Sequence, residues 1–143
     1  MQNHFSLLNR SSAQSGILNY CHSQGIPFFS YMVLEQGALS GKFDEAHPFP
    51  AGSERARVYD PMLKQLTTLN AGLQELADRH QCSIAQLAIA WAIAKGTVPI
   101  IGVTKRDQVT DAIAAASVAL SEAEVLQKKN GEAGRSARHL CRP

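Results

Sequence analysis

IPFFSYMVLEQGALSGKF, residues 26–43, decides how the rest of the chain is read. Ile26, Phe28, Phe29 and Tyr31 form a short apolar and aromatic run, the composition of a buried strand. The run opens into Gly37 and Gly41, which lack a Cβ and let backbone lie close to whatever sits above it. Lys42 closes that turn, with Arg55 and Arg57 farther along. A buried strand emptying into a glycine-bearing, cation-bearing loop is how α/β proteins floor a site for phosphorylated ligands.

Upstream, Met1 to Leu8 (MQNHFSLL) alternates loosely and is expected to be a strand. Ser11, Ser12 and Ser15 offer N-caps for a helix through about Gln24, with Ile17, Leu18 and Cys21 on one face and Gly25 ending it. Downstream, Asp44 to Asp60 holds His47, Pro48, Pro50 and Gly52, and predicts a mobile loop of about 17 residues, a length that suits a covering role. Asp60-Pro61 then starts a helix, in which Met62, Leu66, Leu69, Leu73 and Leu76 make one apolar stripe ending near His80. Ser83 and Gln86 predict a capping box for the next helix, whose stripe runs Ile84, Leu87, Ala88, Trp91 and Ala92 to Lys95-Gly96. Trp91 continues that stripe, so it is assigned to the core.

Val98 to Val103 (VPIIGV) has the composition of another buried strand. Thr104 with Asp107 predicts a second capping box, placing Lys105 and Arg106 at a helix start. Free backbone N–H groups and the helix dipole favour an anion there, although two solvated cations would give the same sequence. That helix is expected to reach about Ser117, and Ser121 with Glu124 to begin a last short one. From Asn130 the sequence has little apolar content and is expected to be a flexible tail over residues 130–143, leaving 1–129 as the folded domain.

The whole is 143 residues, 45% hydrophobic and 18% charged, which is the composition of one globular domain. A formal charge of +2 gives no footprint for nucleic acid. Three cysteines without CxxC spacing argue against a disulfide framework and a zinc site, and fit a reducing cytoplasm. The five histidines show no metal-ligand spacing and are expected on surfaces or loops. No apolar stretch is long enough for a membrane span, and Gln2, Asn3 and His4 do not make a secretory leader. Strands alternating with helices predict an α/β fold with a parallel sheet of about three strands. Three parallel strands look like part of a sheet, because such strands need their faces and edges covered.

QNHFSLLNR, GIPFFSYMVLEQGALSGKF, SIAQLAIAWAIAKG and VPIIGVTKRDQV occur in an order and spacing that resemble the aldo-keto reductase family. The resemblance runs from Gln2 to about Leu126 and covers the last three strand–helix units of a (β/α) barrel. It implies a partial TIM-type barrel and much of an NADP(H) site. Gln2 matches the position that contacts the nicotinamide amide, and Tyr31 the aromatic that stacks on the nicotinamide ring. Leu34, Gln36, Gly37 and Leu39 match the loop that lines the pyrophosphate, and Lys42 its cation. Gly102, Thr104, Lys105 and Gln108 match the segment holding the adenosine ribose and its 2′-phosphate, and Asp111 an acidic position near the adenine.

The chain also departs from that pattern. Met32-Val33 replaces the usual Ser-Pro after the stacking aromatic, and Ala112 stands where an asparagine usually faces the adenine. The family's catalytic aspartate, tyrosine, lysine and histidine belong to earlier strands that no segment of this sequence matches, so no catalytic residue and no metal ligand is assigned. The resemblance therefore implies an oxidoreductase fragment inactive alone, partnered by a complementing barrel fragment or by copies of itself. The alternatives are a non-enzymatic, self-associating α/β module and a plain nucleotide-binding module.

Overall fold

In the computed structural model, which describes residues 1–126, three parallel strands make one sheet in the order β1–β2–β3. They are β1 (Gln2–His4), β2 (Phe29–Tyr31) and β3 (Val98–Pro99). Each is shorter than its apolar run. β1 stops because Ser6 Oγ accepts the N–H groups of Leu8 (3.1 Å) and Asn9 (2.9 Å), which turns the chain out of the sheet. In β3, Pro99 has no N–H to donate, and the ladder ends one residue later at Ile100 N–H to the Ser30 carbonyl, 2.8 Å. The expected flexible tail lies outside the described residues.

The register aligns Gln2, Phe29 and Val98, then Asn3, Ser30 and Pro99, then His4 and Tyr31. Parallel neighbours in register point to one face, so the sheet has two unlike sides. Asn3 and Ser30 face the helices, where Asn3 Nδ2 donates to Ser12 Oγ (3.2 Å) and Ser30 Oγ meets Thr97 Oγ1 (2.9 Å). On the other side Phe29, Tyr31, Val98 and Ile100 are 39–49% exposed. The expectation of strands buried on both faces is therefore corrected: the apolar composition is there, but only one face is covered. Ile26, before β2, is exposed as well.

Around the covered face lie α1 (Ser11–Gln14), α2 (Ile17–Ser23), α3 (Glu54–Tyr59), α4 (Leu63–Arg79), α5 (Ile84–Ala94), α6 (Arg106–Ala115) and α7 (Glu122–Leu126). The single helix expected over residues 11–24 is broken at Gly16, whose φ of +82° cannot continue a helix. The α4 and α5 stripes land as their spacing predicts, with Leu66, Leu73, Leu87 and Ala88 buried. The α5 capping box is formed reciprocally by Ser83 and Gln86 (2.9 and 3.1 Å). The main core joins Phe5, Phe28 and Val33 of the sheet side to Leu18, Cys21, Ile89, Trp91 and Ala115.

The segment 44–60 is irregular over residues 44–53, as expected, but it ends in α3 and its aromatics are packed. Phe43 and Phe49 stack at 4.0 Å, Phe49 and Tyr59 approach to 5.4 Å, and Ser53 Oγ caps α3 through the Ala56 N–H at 3.1 Å. Phe49 and Tyr59 are buried with Ala38 and Leu66 in a small core of their own. Pro48, Pro50 and Gly52 mark the irregular part, and the aromatic contacts fasten it to α3.

α7 is tied to the end of α4 through Glu124, whose carboxylate accepts from the Ser121 N–H (2.8 Å) and from His80 Nε2 (3.0 Å). The Ser121 N–H, and after it the His80 hydrogen bond, hold the Glu124 carboxyl down to about 2. A depressed carboxyl stabilises the fold above its ordinary value and loses that contribution as pH falls through the depressed one. Exchange of the α7 amides should therefore accelerate, beyond the intrinsic trend, as pH drops from about 4.5 towards 2. Equal protection at both ends of that window would contradict the tie. Among the described residues no helix is long and apolar enough to cross a membrane.

Candidate functional site

Parallel strands bring all their C-terminal ends to one edge of the sheet, and in (β/α) folds that edge carries the site. Tyr31 ends β2 with 39% of its surface open, whereas Gln2, matched to a strand-end position, is exposed at the start of β1 and level with Phe29. Their positions in the register put both on the uncovered face. The His4 ring lies beside Tyr31 with centroids 5.7 Å apart and planes 27° from parallel. Tyr31 thus offers a flat aromatic surface, as expected of a stacking residue.

The chain leaving β2 makes a tight turn over Glu35–Ser40. Its glycines answer to packing. Gly37 has φ of +101° and a Cβ there would sit 3.2 Å from the Phe43 ring, while at Gly41 (φ +73°) a Cβ would come within 2.7 Å of Ile84 Cδ1. Both sites demand glycine before any ligand is considered. Leu34 is half-buried and Leu39 wholly buried, so of these two only the backbone and the rim of Leu34 face outward. Gln36 is exposed, and its carbonyl accepts from Arg55 Nη1 at 3.4 Å. Lys42 is exposed, and its ammonium makes no hydrogen bond or ion pair among the described residues.

At the start of α6, Gly102, Thr104 and Lys105 are exposed. The Gln108 side-chain oxygen accepts from the N–H groups of Thr104 (2.7 Å) and Lys105 (3.1 Å), and from the Thr104 hydroxyl at 3.3 Å. The cap is thus the Gln108 side chain alone, on backbone N–H groups, and the expected box of Thr104 with Asp107 is corrected. Gln108 reaches back one residue farther than a Thr104 cap would require, and two of the N–H groups expected to be free are already taken. Any anion here meets the Thr104 hydroxyl and the Lys105 and Arg106 cations first. Asp111 is exposed, with its backbone carbonyl held by Gln86 Nε2 at 3.2 Å. The structure joins Thr104, Lys105 and Gln108 into one cluster. Lys42 and Asp111 stand apart from it, without a hydrogen bond or ion pair to another candidate among the described residues.

Sequence reading missed one group. Glu35 is buried at 4% exposure, and its carboxylate accepts from His4 Nε2 (2.6 Å), the Tyr59 hydroxyl (2.8 Å) and the Ser6 hydroxyl. A buried carboxylate is costly unless hydrogen-bonded, and here three donors meet it. His4 was expected on a surface, and is instead a partly buried ligand of this carboxylate. Backbone strain collects at the same place: Met32, Glu35 and Gln36 have φ of +59°, +48° and +53°. Left-handed conformations cost non-glycine residues roughly 1–3 kcal/mol each, and they persist where the surroundings over-determine them. An acid inside an apolar run, Val33-Leu34-Glu35, was the available signal.

Two open concavities, of about 340 Å³ beside Ser53 and Asp60 and about 240 Å³ beside Gly41 and Asn70, include neither Tyr31 nor the α6 start. The strand ends form an open surface.

A sequence model of the Aldo/keto reductase family matches residues 1–129. The chain is 36% identical over 123 residues to the chloroplastic pyridoxal reductase of Arabidopsis thaliana, covering 86% of this chain and 33% of that protein. It is 32% identical over 139 residues to the NADH-specific methylglyoxal reductase of Escherichia coli K12, covering 93% and 42% respectively. Among solved structures it superposes on the glycerol dehydrogenase of Gluconobacter oxydans with a TM-score of 0.77 at 21% identity, over 86% of this chain and 38% of that one. The last likeness shows the fold alone, and with it the three-stranded sheet is part of a (β/α) barrel. The chain spans about a third to two-fifths of the length of these relatives. With a family match that spans every described residue, this protein belongs to the aldo/keto reductase family of oxidoreductases.

Proposed function

We propose that this chain forms the cofactor-binding side of an NADP(H)-dependent aldo-keto reductase and that alone it does not reduce carbonyl compounds. The observation that carries the reading is Tyr31, an aromatic ring left open at the C-terminal end of the central strand. Gln2 on the same face suits the nicotinamide amide. The exposed Lys42 ammonium suits the pyrophosphate, and Thr104, Lys105 and Arg106 suit an adenosine 2′-phosphate. When bound, NADP(H) supplies the hydride. The residues present here orient it and supply no proton donor beside a carbonyl: Tyr59 is buried and donates to Glu35, and Tyr31 is the stacking surface. Free Cys21 and Cys82 support the cytoplasmic setting that belongs to the same proposal.

The test is a fluorescence titration of the purified chain with NADPH and with NADH, alongside an aldehyde turnover assay. NADPH should bind more tightly, and Lys105→Ala should weaken it by about 1–3 kcal/mol, roughly five- to 150-fold. Equal affinities would remove the 2′-phosphate assignment, and one matched relative is named NADH-specific. Turnover above the no-protein control would refute inactivity. A second reading, a non-enzymatic self-associating module, is favoured by the uncovered sheet face and is tested by the state of association.

A further inference from the structure

We propose that Glu35 is a positioning residue, setting the ring of Tyr31 through His4; this rests on the assignment of Tyr31 as the nicotinamide-stacking surface. The chain of hydrogen bonds fixes its own proton positions. Asn9 Oδ1 accepts the N–H (3.2 Å) and hydroxyl (2.8 Å) of Ser11, so the Asn9 amide nitrogen is the atom that faces His4 Nδ1, at 3.0 Å. Nδ1 is then an acceptor, the proton sits on Nε2, and Nε2–H donates to Glu35 Oε1 at 2.6 Å. With both nitrogens engaged the imidazole has one orientation, beside Tyr31 with ring centroids 5.7 Å apart.

The carboxylate is itself immobilised. The Ser6 hydroxyl shares Oε1, and the Tyr59 hydroxyl holds Oε2 at 2.8 Å. The left-handed backbone at Met32, Glu35 and Gln36 folds the chain back so that Glu35 points under the strand ends. An open aromatic ring ordinarily samples several rotamers, and ordering it on binding costs affinity. Glu35 and His4 meet that cost in the free protein. Tyr59 anchors the far side of the carboxylate and so belongs to the same network; His80, tied to Glu124 at the end of α4, lies outside it and separates positioning from general stability.

The experiment is NMR on the full chain, reading the His4 ¹⁵N tautomer signature and the nuclear Overhauser contacts between the His4 and Tyr31 rings, with NADPH titrations beside it. Wild type should show the Nε2–H tautomer and a single Tyr31 ring position. Glu35→Gln should average the ring contacts and weaken NADPH by about three- to tenfold, whereas His80→Gln, which loosens the distant tie to Glu124, should leave both unchanged. A wild-type His4 in the Nδ1–H form, or a rotamer-averaged Tyr31, overturns the proposal without any variant being made, should Glu35→Gln not fold. Ring contacts that survive in Glu35→Gln, or are lost equally in His80→Gln, also overturn it. If wild type shows the fixed ring contacts and Glu35→Gln loses them, but no nucleotide binds either, positioning stands and the cofactor reading falls.

Discussion

Replacing Trp91 by alanine is expected to leave the chain unfolded at room temperature. Trp91 is 3% exposed, stacks on Phe5 at 5.2 Å, and donates its Nε1–H to the Val125 carbonyl at 3.2 Å. One side chain therefore joins α5 to the exit of β1 and to α7. Arg10 and Lys95 cover the ring at 5.0 and 5.8 Å, and burial lowers the pKa of both cations. Truncating a buried tryptophan costs about 3–5 kcal/mol, and domains of ordinary size hold only about 5–15. This sheet has one covered face, so its margin lies at the low end. Far-UV circular dichroism against urea measures the outcome. Trp91→Phe keeps a ring on Phe5 and should stay folded with a lower midpoint. A Trp91→Ala chain within about 1 kcal/mol of wild type would show that the main core does not depend on this contact.

What the sequence disclosed follows the physics of each signal. α4 and α5 repeat their apolar residues every three or four positions, so the stripe Leu66, Leu69, Leu73 and Leu76 announces which side is buried. Ser83 and Gln86 lie three residues apart and cap locally, so their box was legible too. At α6 the same motif logic picked Thr104 with Asp107, because it weighs spacing and not side-chain reach, and Gln108 won with its longer arm. In the segment 44–60 the irregular part was legible from Pro48, Pro50 and Gly52, and its anchoring was not. Its structure depends on Phe43, Phe49 and Tyr59 meeting across a gap that carries no period.

Of the proposed site, Tyr31, Gln2 and Lys42 are open, as a ligand contact requires. Gly37 and Leu39 matched a ligand loop and Gly41 a close backbone approach, yet the structure gives each a packing reason, close approach to Phe43 and Ile84 or burial in the core. Glu35 was invisible because its three donors come from positions 4, 6 and 59, brought together only by the fold. Strand composition misled in one respect. Apolar residues say that a face is meant to be covered, and not whether the cover is present among the described residues.

That uncovered face carries the second large effect: the chain is expected to associate, with itself or with a complementing barrel portion, through the sheet. Phe29, Tyr31, Val98 and Ile100 lie open on one side, and the outer edges of β1 and β3 pair with no strand among the described residues. Unpaired strand edges beside an apolar face are seldom left open. Covering roughly 800 Å² per partner at about 25 cal/mol per Å² gives gross stabilisation on the order of tens of kcal/mol before association costs. A second copy related by a two-fold axis is the simplest cover. Sedimentation equilibrium at micromolar concentration should therefore show a dimer or larger species and little of the 15.5 kDa monomer. Phe29→Asp together with Ile100→Asp should shift dissociation by at least about 2 kcal/mol, roughly thirtyfold, because the charges would be buried only in the assembly. Both positions are 40–44% exposed in the monomer, so the fold itself should tolerate the change. A cooperative, well-folded 15.5 kDa species would show that one covered face suffices. A dimer indifferent to both aspartates would place the interface elsewhere. If an added polypeptide carrying the family's first five strand–helix units displaces the second copy from wild type but not from the double variant, the open face is the seam at which the barrel closes.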